Sequence, residues 1–583
     1  MSRLTRVALV GAAVGLISLM ACNDSTSPPD VPDVVNAGPA LLASAGTYVT
    51  MDGSASCGQS GLTCHWRQVA GPDVTGGHGT MDGELPGFTA PDSVTSVAFE
   101  LRVGNGDALS PPDTLTVVVV KFSDRALFVS RTGWDTNPGT PAWPLRTLQR
   151  AIQTAAAVGN GTDLYIAEGT YTGTITLGSG VSLYGGFSRT TWVRDPVAHP
   201  TIIDGGRKAV VGTDVSDLEI DGLAIRSASG IDDGAEEDRS SIGIWLSGTS
   251  NVRVNGNTID VGDGTSGKEG LAGWAGRDGL AGLQGGAGRE DDNPPGDGGA
   301  GGLGWPHTGG HGGAGGWEEQ AGQNGDSGFG KPGGRAGLAG GAGDPGGDGT
   351  VGGKGNDGPA GIPGAPGTEL GLIHPTFGYL PADGSSGRPG VPGNGGGGGG
   401  GGGSQYGGAV TDGAGNGGGG GGGGGGSGQG GGGGYGGGGS LAIVVFDGTG
   451  TVVTNNAITT GNGGPGGAAG SGGKGGAGGL GGDWQRYEAH EIGEGAAGGN
   501  GGKGGNGGPG GGGGGGPSVG IVQIGGDSLI RTGNTITLGQ AGFGGTSPAG
   551  ANYSGATGVA TEYYQIPWVT VREALLRKEK AKE

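Results

Sequence analysis

Three segments of the chain lie over one another without a gap. Residues 241–262 read SIGIWLSGTSNVRVNGNTIDVG, 440–461 read SLAIVVFDGTGTVVTNNAITTG, and 518–539 read SVGIVQIGGDSLIRTGNTITLG. The overlay places Ile244, Ile443 and Ile521 in one column, Asn257, Asn456 and Asn534 in a second, and Ile259, Ile458 and Ile536 in a third. A weaker copy at 207–228 puts Val210 and Ile225 in the aliphatic columns and Leu223 where the others have asparagine. Repeats that keep every internal offset constrain the fold more than any single motif does.

Each unit holds three short apolar-alternating runs separated by Gly, Ser, Thr or Asn, which reads as three strands joined by bends. A unit of about 22 residues with three strands is one coil of a parallel β-helix, whose neighbouring coils pair and bury a shared column of aliphatics. The Asn257, Asn456 and Asn534 column fits this, because amides stacked at about 4.8 Å can hydrogen-bond along the stack. The intervals between coils, 229–240, 263–439 and 462–517, differ greatly in length, yet all leave after one column and return before the same one. They are therefore expected to project from one edge of one solenoid.

Glycine supplies 160 of 583 residues and aromatics only 5%, so much of the chain cannot build an ordinary core. The formal charge of −21 argues against nucleic acid and against an anionic membrane surface as partners. At the start, Arg3 and Arg6 precede an apolar run too short to span a membrane and suited to a signal peptide. That run ends Leu19-Met20-Ala21-Cys22, which resembles a bacterial lipobox. The resemblance implies a signal segment over 1–22, lipid modification of Cys22, and a polar tether over 23–32. Asn23 after Cys22 points to the outer membrane or cell surface.

Cys57 and Cys64 then remain as an even pair in an exported chain, expected to form a disulfide. Around them, residues 33–121 alternate in short strands with turns at Asp52-Gly53, Gly71-Pro72 and Gly104-Asn105-Gly106, which suggests a β-sandwich. AGP (37–39), MDGSAS (51–56), HWRQVAGPDV (65–74), FTAP (88–91) and FELRVGNG (99–106) resemble the PKD-type immunoglobulin-like repeat of bacterial surface proteins. CGQSGLTC (57–64) replaces the acidic loop usual there. The resemblance implies a spacer or carbohydrate-proximal module without catalysis, with Trp66 in its core.

From 125 to 262, FVSRTGWDTNPGTPAWPLRTLQRAI, LYIAEGTYTG, GVSLYGGF and PTIIDG resemble the opening of pectin-lyase-like right-handed β-helix proteins. That resemblance speaks to fold more than to activity. Residues 145–157 have helical spacing after Pro144 and are placed to cap the first coil. The expected fold is thus all-β: an Ig-like sandwich, then a right-handed parallel β-helix with coils at 440–461 and 518–539.

Glycine falls at every third position from Gly264 to Gly288 and from Gly352 to Gly367, and unbroken glycine runs occupy 395–403 and 417–426. Three states compete for this sequence. Disorder follows from its composition. A collagen triple helix needs three chains and abundant proline. A bundle of polyglycine II helices, with three residues per turn, would place period-three runs outside and pure glycine runs inside. Ordering glycine is costly, so backbone hydrogen bonds and anchored ends would have to offset it.

Chemistry-bearing constellations are few. Asp232, Asp233, Glu236, Glu237 and Asp238 crowd a short loop that is either simply solvated or a calcium site. Glu290-Asp291-Asp292-Asn293 poses the same choice, and His78 and His311, each in GGHG, lie outside the coils. A lyase in this fold would want acidic ligands with an arginine on one sheet, and a hydrolase paired carboxylates. Arg253 and Arg531 fall in different columns and are read as lacking partner carboxylates, so no catalytic residue is assigned. Tyr165, Tyr171, Tyr184, Trp192 and Trp245 could stack on sugars but are read as packing residues. Beyond 540, a glycine-containing tail leads to VTVREALLRKEKAKE (569–583), expected to be a helix capping the last coil.

These observations point to an exported, lipid-anchored surface protein that binds matrix polysaccharide or mediates adhesion without catalysis. A calcium-dependent polysaccharide lyase or a glycoside hydrolase is the alternative from another class. A purely structural envelope protein, with the glycine-rich mass as its working surface, is a third.

Overall fold

The computed structural model describes residues 31–567, apart from 39, 47, 94, 107, 121–124, 159–160, 233–238, 290–293, 344, 377, 406–412 and 486–491. Two compact units divide the chain, Met1–Phe122 and Ser123–Glu583.

In the first unit, Thr95–Gly104 is the central strand, antiparallel to Asp113–Val120 on one side and to Thr63–Ala70 on the other. Val97, Phe99, Leu101 and Val103 alternate inward along it, the period-two pattern of a sheet with one buried face. Thr80–Asp82 and the parallel strand Leu41–Ser44 close the two edges, and Tyr48–Thr50 pairs with Gly87–Thr89 in a second, antiparallel sheet. Trp66 is fully buried, its indole N–H donating to the Gly83 carbonyl at 3.3 Å. Cys57 and Cys64 are disulfide-bonded with Cα atoms 5.6 Å apart, inside the same apolar cluster.

The second unit is a parallel β-helix of three sheets. Sheet A has seven strands: Leu127–Val129, Thr162–Ala167, Val181–Phe187, Ser216–Asp221, Ser250–Asn255, Val452–Thr454 and Ile530–Thr532. Sheet B runs Gly169–Thr172, Thr201–Asp204, Leu223–Ser227, Thr258–Val261, Ala457–Thr459 and Thr535–Thr537. Sheet C runs Ile175–Thr176, Lys208–Thr213, Ser241–Ser247, Ser440–Phe446, Ser518–Ile524 and Ala560–Ile566. The repeat columns are ladder neighbours: Val210 faces Ile244, Ile244 faces Ile443, and Ile443 faces Ile521. Ile225, Ile259, Ile458 and Ile536 stack likewise in sheet B.

Inside the stack, Asn257 Nδ2 donates to Asn456 Oδ1 at 3.0 Å, and Asn456 Nδ2 to Asn534 Oδ1 at 2.9 Å. Asn257 Oδ1 in turn accepts the backbone N–H of Leu223, so the ladder ends where the weaker repeat has no amide to add. The neighbouring corner bends through the left-handed region in each of the four repeat coils: Gly222, Gly256, Asn455 and Gly533 have φ of 67, 62, 56 and 69°. Glycine adopts that conformation freely, and asparagine is among the few other residues that tolerate it. The helix Leu148–Val158 lays Leu148, Ala151, Ile152 and Ala155 on the open first coil.

Sheet C is apolar on both faces. Its inner residues join the solenoid core, while Trp245, Leu441, Val444, Val519, Val522 and others form a second cluster outside. A hairpin from within the first glycine-rich insertion, Leu372–His374 with Gly378–Leu380, lays Ile373 and Tyr379 on that outer face.

The glycine-rich insertions all spring from the corner between sheets B and C, and their described runs are ordered. Each peptide of 395–403 donates one hydrogen bond and accepts one. The N–H groups reach runs 323–329, 347–353 and 416–422, and the carbonyls receive from 310–316, 334–340 and 493–499. Six neighbours surround this run, and the pure glycine stretch 417–426 is likewise buried and bonded on all sides. A methyl group at any position in 395–403 would collide with a neighbour's carbonyl oxygen. The polyglycine II reading therefore holds, and disorder and the collagen triple helix do not.

At the chain's end the structure departs from expectation. Residues 538–558 belong to the bundle, and Ala560–Ile566 adds a sixth strand to sheet C beside Ser518–Ile524, where only a glycine-containing tail was anticipated. The expected signal segment, Cys22 and most of the tether lie outside the described residues, as does the expected terminal helix from Val569.

Candidate binding surface on the glycine bundle

Run 264–288 shows how the bundle displays side chains. Its every-third glycine N–H groups bond to run 462–483, from Gly264 on Asn462 to Gly285 on Asp483. With three residues per turn, the residue after each glycine always falls on the same edge. That edge carries Lys268, Leu271, Trp274, Arg277, Leu280 and Leu283, in a file spaced about 9 Å apart at roughly 3.1 Å of rise per residue. Beside the later part of this file lies a shorter run, 296–304, bonded through Leu280 to Leu303 and Leu283 to Ala300. It stops at a turn containing the cis peptide Trp305-Pro306.

A second short pair of runs turns at the same level, through the cis peptide Lys331-Pro332. The two turns touch, since Phe329 N–H donates to the Thr308 carbonyl at 3.0 Å. Beyond them, runs 264–276, 427–437 and 384–393 continue with their longer neighbours but without the two short pairs, so the two turns form a ledge across the bundle. A groove of about 610 Å³ runs along it, lined by Trp274, Arg277, Trp305, Pro306, Pro392 and Gln429, among others. It adjoins another of about 740 Å³ that includes His307, Phe329, Lys331, Val391 and Asn394.

The rings here are open to solvent: Trp274 is 82% exposed, Phe329 63% and Trp305 46%. Arg277 lies over the Trp305 ring with Cζ 4.6 Å from its centroid. His307 Nδ1–H donates to the Gly393 carbonyl at 3.0 Å, and Asn394 Nδ2 to the Pro332 carbonyl at 2.7 Å. Polar side chains are thus fixed around aromatic faces on a rigid backbone. Such a surface is suited to stacking and hydrogen bonding, and no carboxylate is among the residues that line the two grooves.

None of these residues was singled out from sequence. The available signal was the interruption of the glycine period by Trp305-Pro306 and Lys331-Pro332. Sugar-stacking candidates on the coils are mostly consumed by packing: Tyr171, Trp192 and Trp245 are buried, and Tyr165 and Tyr184 are half-buried. Trp192 meets Phe128 edge-on at 4.8 Å. Of the acidic loop, Asp232 alone is described. Its carboxylate sits 3.1 Å from Lys268 Nζ and 3.9 Å from Arg239 Nε. Asp233, Glu236, Glu237, Asp238 and Glu290–Asn293 lie outside the described residues. Among those described, no group of three or more potential ligands is placed to hold a metal ion.

The outer face of sheet A corrects one expectation. Arg253 does have a carboxylate partner: its Nε lies 3.8 Å from Glu219 Oε1 on the preceding coil, and Tyr184 Oη donates to Glu219 Oε2 at 3.2 Å. The pairing was missed because it runs between coils of the weak repeat, which lines up Glu219 with Arg253. Burial pushes the Tyr184 phenol up to about 12, with Glu219 and Asp163 nearby adding to the effect, and burial also raises Asp163. Arg194 with Asp221 and Asn251 with Asp217 are further cross-coil pairs. Arg531 sits one column away, as expected, over the Tyr563 ring.

Comparison with known proteins adds little about activity. Residues 131–272 match the family described as "Protein of unknown function (DUF1565)". No curated protein matches the chain. Among solved structures, a sialyltransferase from Photobacterium damsela is similar at 11% identity, over 38% of this chain and 43% of that one. Its TM-score of 0.12 supports neither a shared fold nor a shared function.

Proposed function

We propose that this chain is an exported surface protein, anchored through Cys22, that binds matrix polysaccharide without catalysis. In this reading the N-terminal sandwich is a PKD-like spacer, the β-helix a pedestal, and the glycine bundle the binding element. One observation carries it: Trp274, Trp305 and Phe329 stand exposed around a groove on a backbone lattice that cannot relax to bury them. Aromatic rings of this kind stack on the apolar faces of sugar rings, and fixed polar neighbours supply orientation.

The test is retention of the whole chain, in detergent, on immobilised polysaccharides, with reducing and unsaturated ends assayed in parallel. Trp274→Ala and Trp305→Ala are each expected to weaken retention about tenfold, and no new ends are expected. Retention unaffected by both substitutions would move the site elsewhere, and new ends would replace the binding reading with an enzyme. For the anchor, Cys22→Ser is expected to shift the protein from the membrane to the soluble fraction.

A further inference from the structure

We propose that the ledge selects an anionic polysaccharide, one bearing uronate or sulfate groups; this rests on the binding reading above and specifies its ligand. The argument starts from charge. The chain carries −21 overall, yet the residues lining the two grooves include Arg277, Lys331 and His307 and not one carboxylate. Several basic side chains on the second unit are matched with acids: Lys354 with Asp357 at 3.2 Å, Lys268 with Asp232, Arg253 with Glu219, Arg194 with Asp221. Among the described residues no ion pair engages Arg277 or Lys331.

The nearest acid in sequence is turned away. Asp278 follows Arg277, but three residues per turn put it on another edge, where its Oδ1 accepts the Ala477 N–H at 2.6 Å. The ledge is therefore a cationic island on an acidic molecule, and long-range repulsion from the rest of the surface makes local cations the reason an anion would settle there.

Geometry narrows the ligand further. Arg277 lies over the Trp305 ring with Cζ 4.6 Å from its centroid, and both residues line the groove. A planar fork held by stacking loses little freedom when it receives a carboxylate or sulfate through two parallel hydrogen bonds. Trp274, in the file position before Arg277, offers a ring about 9 Å away along the run, at three residues of roughly 3.1 Å rise. A stacking ring, then a cation, then a second cation at Lys331 matches a chain of sugar rings with acid groups at intervals. A nucleic acid would also meet cations and rings, but it would have to approach a surface of strong like charge carrying few further cations.

The experiment compares binding of the whole chain to a polyuronate, to the same polymer after carboxyl reduction, to a sulfated glycan, and to duplex DNA. Variants are Arg277→Gln with Lys331→Gln, Trp274→Ala, and Lys354→Gln as a bundle control. Expected is a loss of about tenfold on carboxyl reduction and of about tenfold or more in the double variant, the scale of one or two charge-assisted hydrogen bonds. Lys354→Gln should change nothing, and Trp274→Ala should weaken the acidic and the reduced polymer alike. Preference between the uronate and sulfate arms assigns the acid group. Equal binding of the polyuronate and its reduced form overturns the charge assignment while the binding reading stands. Equal binding of DNA shows charge without glycan recognition and overturns the proposal. No binding to any glycan sinks both. Unchanged hydrogen exchange in 395–403 and 417–426 establishes that each variant keeps the bundle.

Discussion

The β-helix and the glycine bundle grow from the same corner of the same coils, yet they are held by opposite means. In the coils, side chains do the holding: Ile244, Ile443 and Ile521 are buried in the core, each contributing about 1.5–3 kcal/mol by leaving water. In the bundle, side chains are excluded, and cohesion comes from backbone pairing. Each residue of 395–403 donates one hydrogen bond, worth a net ~1 kcal/mol, against a backbone ordering cost of ~1–2 kcal/mol. The two nearly cancel, so the bundle also depends on close packing and on ends fixed to the solenoid. One lattice tolerates a change of side chain and suffers from a cavity; the other has no room for a side chain in its interior.

The sharpest way to break this contrast is Gly399→Val. Its Cβ would meet the Ala496 carbonyl inside the lattice, so the expected cost is at or above the ~3 kcal/mol end of overpacking. Hydrogen exchange should show protection lost across 395–403 and 417–426 while sheets A and B stay protected. Loss of both regions together would mean that the bundle and the coils fold as one unit.

Ile443→Ala is the mirror experiment, expected to cost about 2–5 kcal/mol in thermal or denaturant unfolding. It should lower protection in the coils first. Asn456→Ala comes next: it takes the acceptor from the Asn257 backbone N–H and a donor from the Val254 carbonyl and Asn534 Oδ1, for about 1–3 kcal/mol. Asn456→Asp should cost at least as much at neutral pH, since a carboxylate cannot donate to Asn534 Oδ1.

The smallest effect is a pH dependence inside the bundle. A hydrogen bond from the Lys503 backbone N–H, with help from Lys354, holds Asp357 below its ordinary value of 3.8. A lowered folded pKa adds stability above the unfolded value, and that contribution is lost as pH falls through the folded one. The side chain is more than half exposed, so solvent screening keeps the gain under about 1 kcal/mol. Asp357→Asn should flatten the acid limb of bundle protection slightly and leave the coils unchanged.

What could be read beforehand divides along the same line. The coil columns were legible because identical residues must stack to fill a core, which leaves Ile244, Ile443 and Ile521 in register across long interruptions. The bundle was legible as one of several options, because periodic glycine tells which faces are bare but not whether neighbours exist to meet them. The hairpin at 372–380 was missed, although SLAIVVF at 440–446 gave a clue. A strand apolar at consecutive positions is buried on both faces, so something had to cover the outside. The groove was harder still. Trp274 and Trp305 are 31 residues apart in sequence, and only the pairing of runs brings them to one ledge.

The junction between the two lattices has an evolutionary corollary. Asn462 N–H donates to Asp263 Oδ1 and Gln540 N–H to Asn462 Oδ1, so successive coils hand their spacing directly to the first residues of the runs. A run started in register keeps its faces only if its length changes by three. Losing one residue rotates every later side chain by about 120° and drives it into a neighbour's backbone. Lengthening of this molecule is therefore quantised: insertions and deletions survive in triplets of residues, matched across adjoining runs, while unmatched steps leave ledges of the kind that carries the groove.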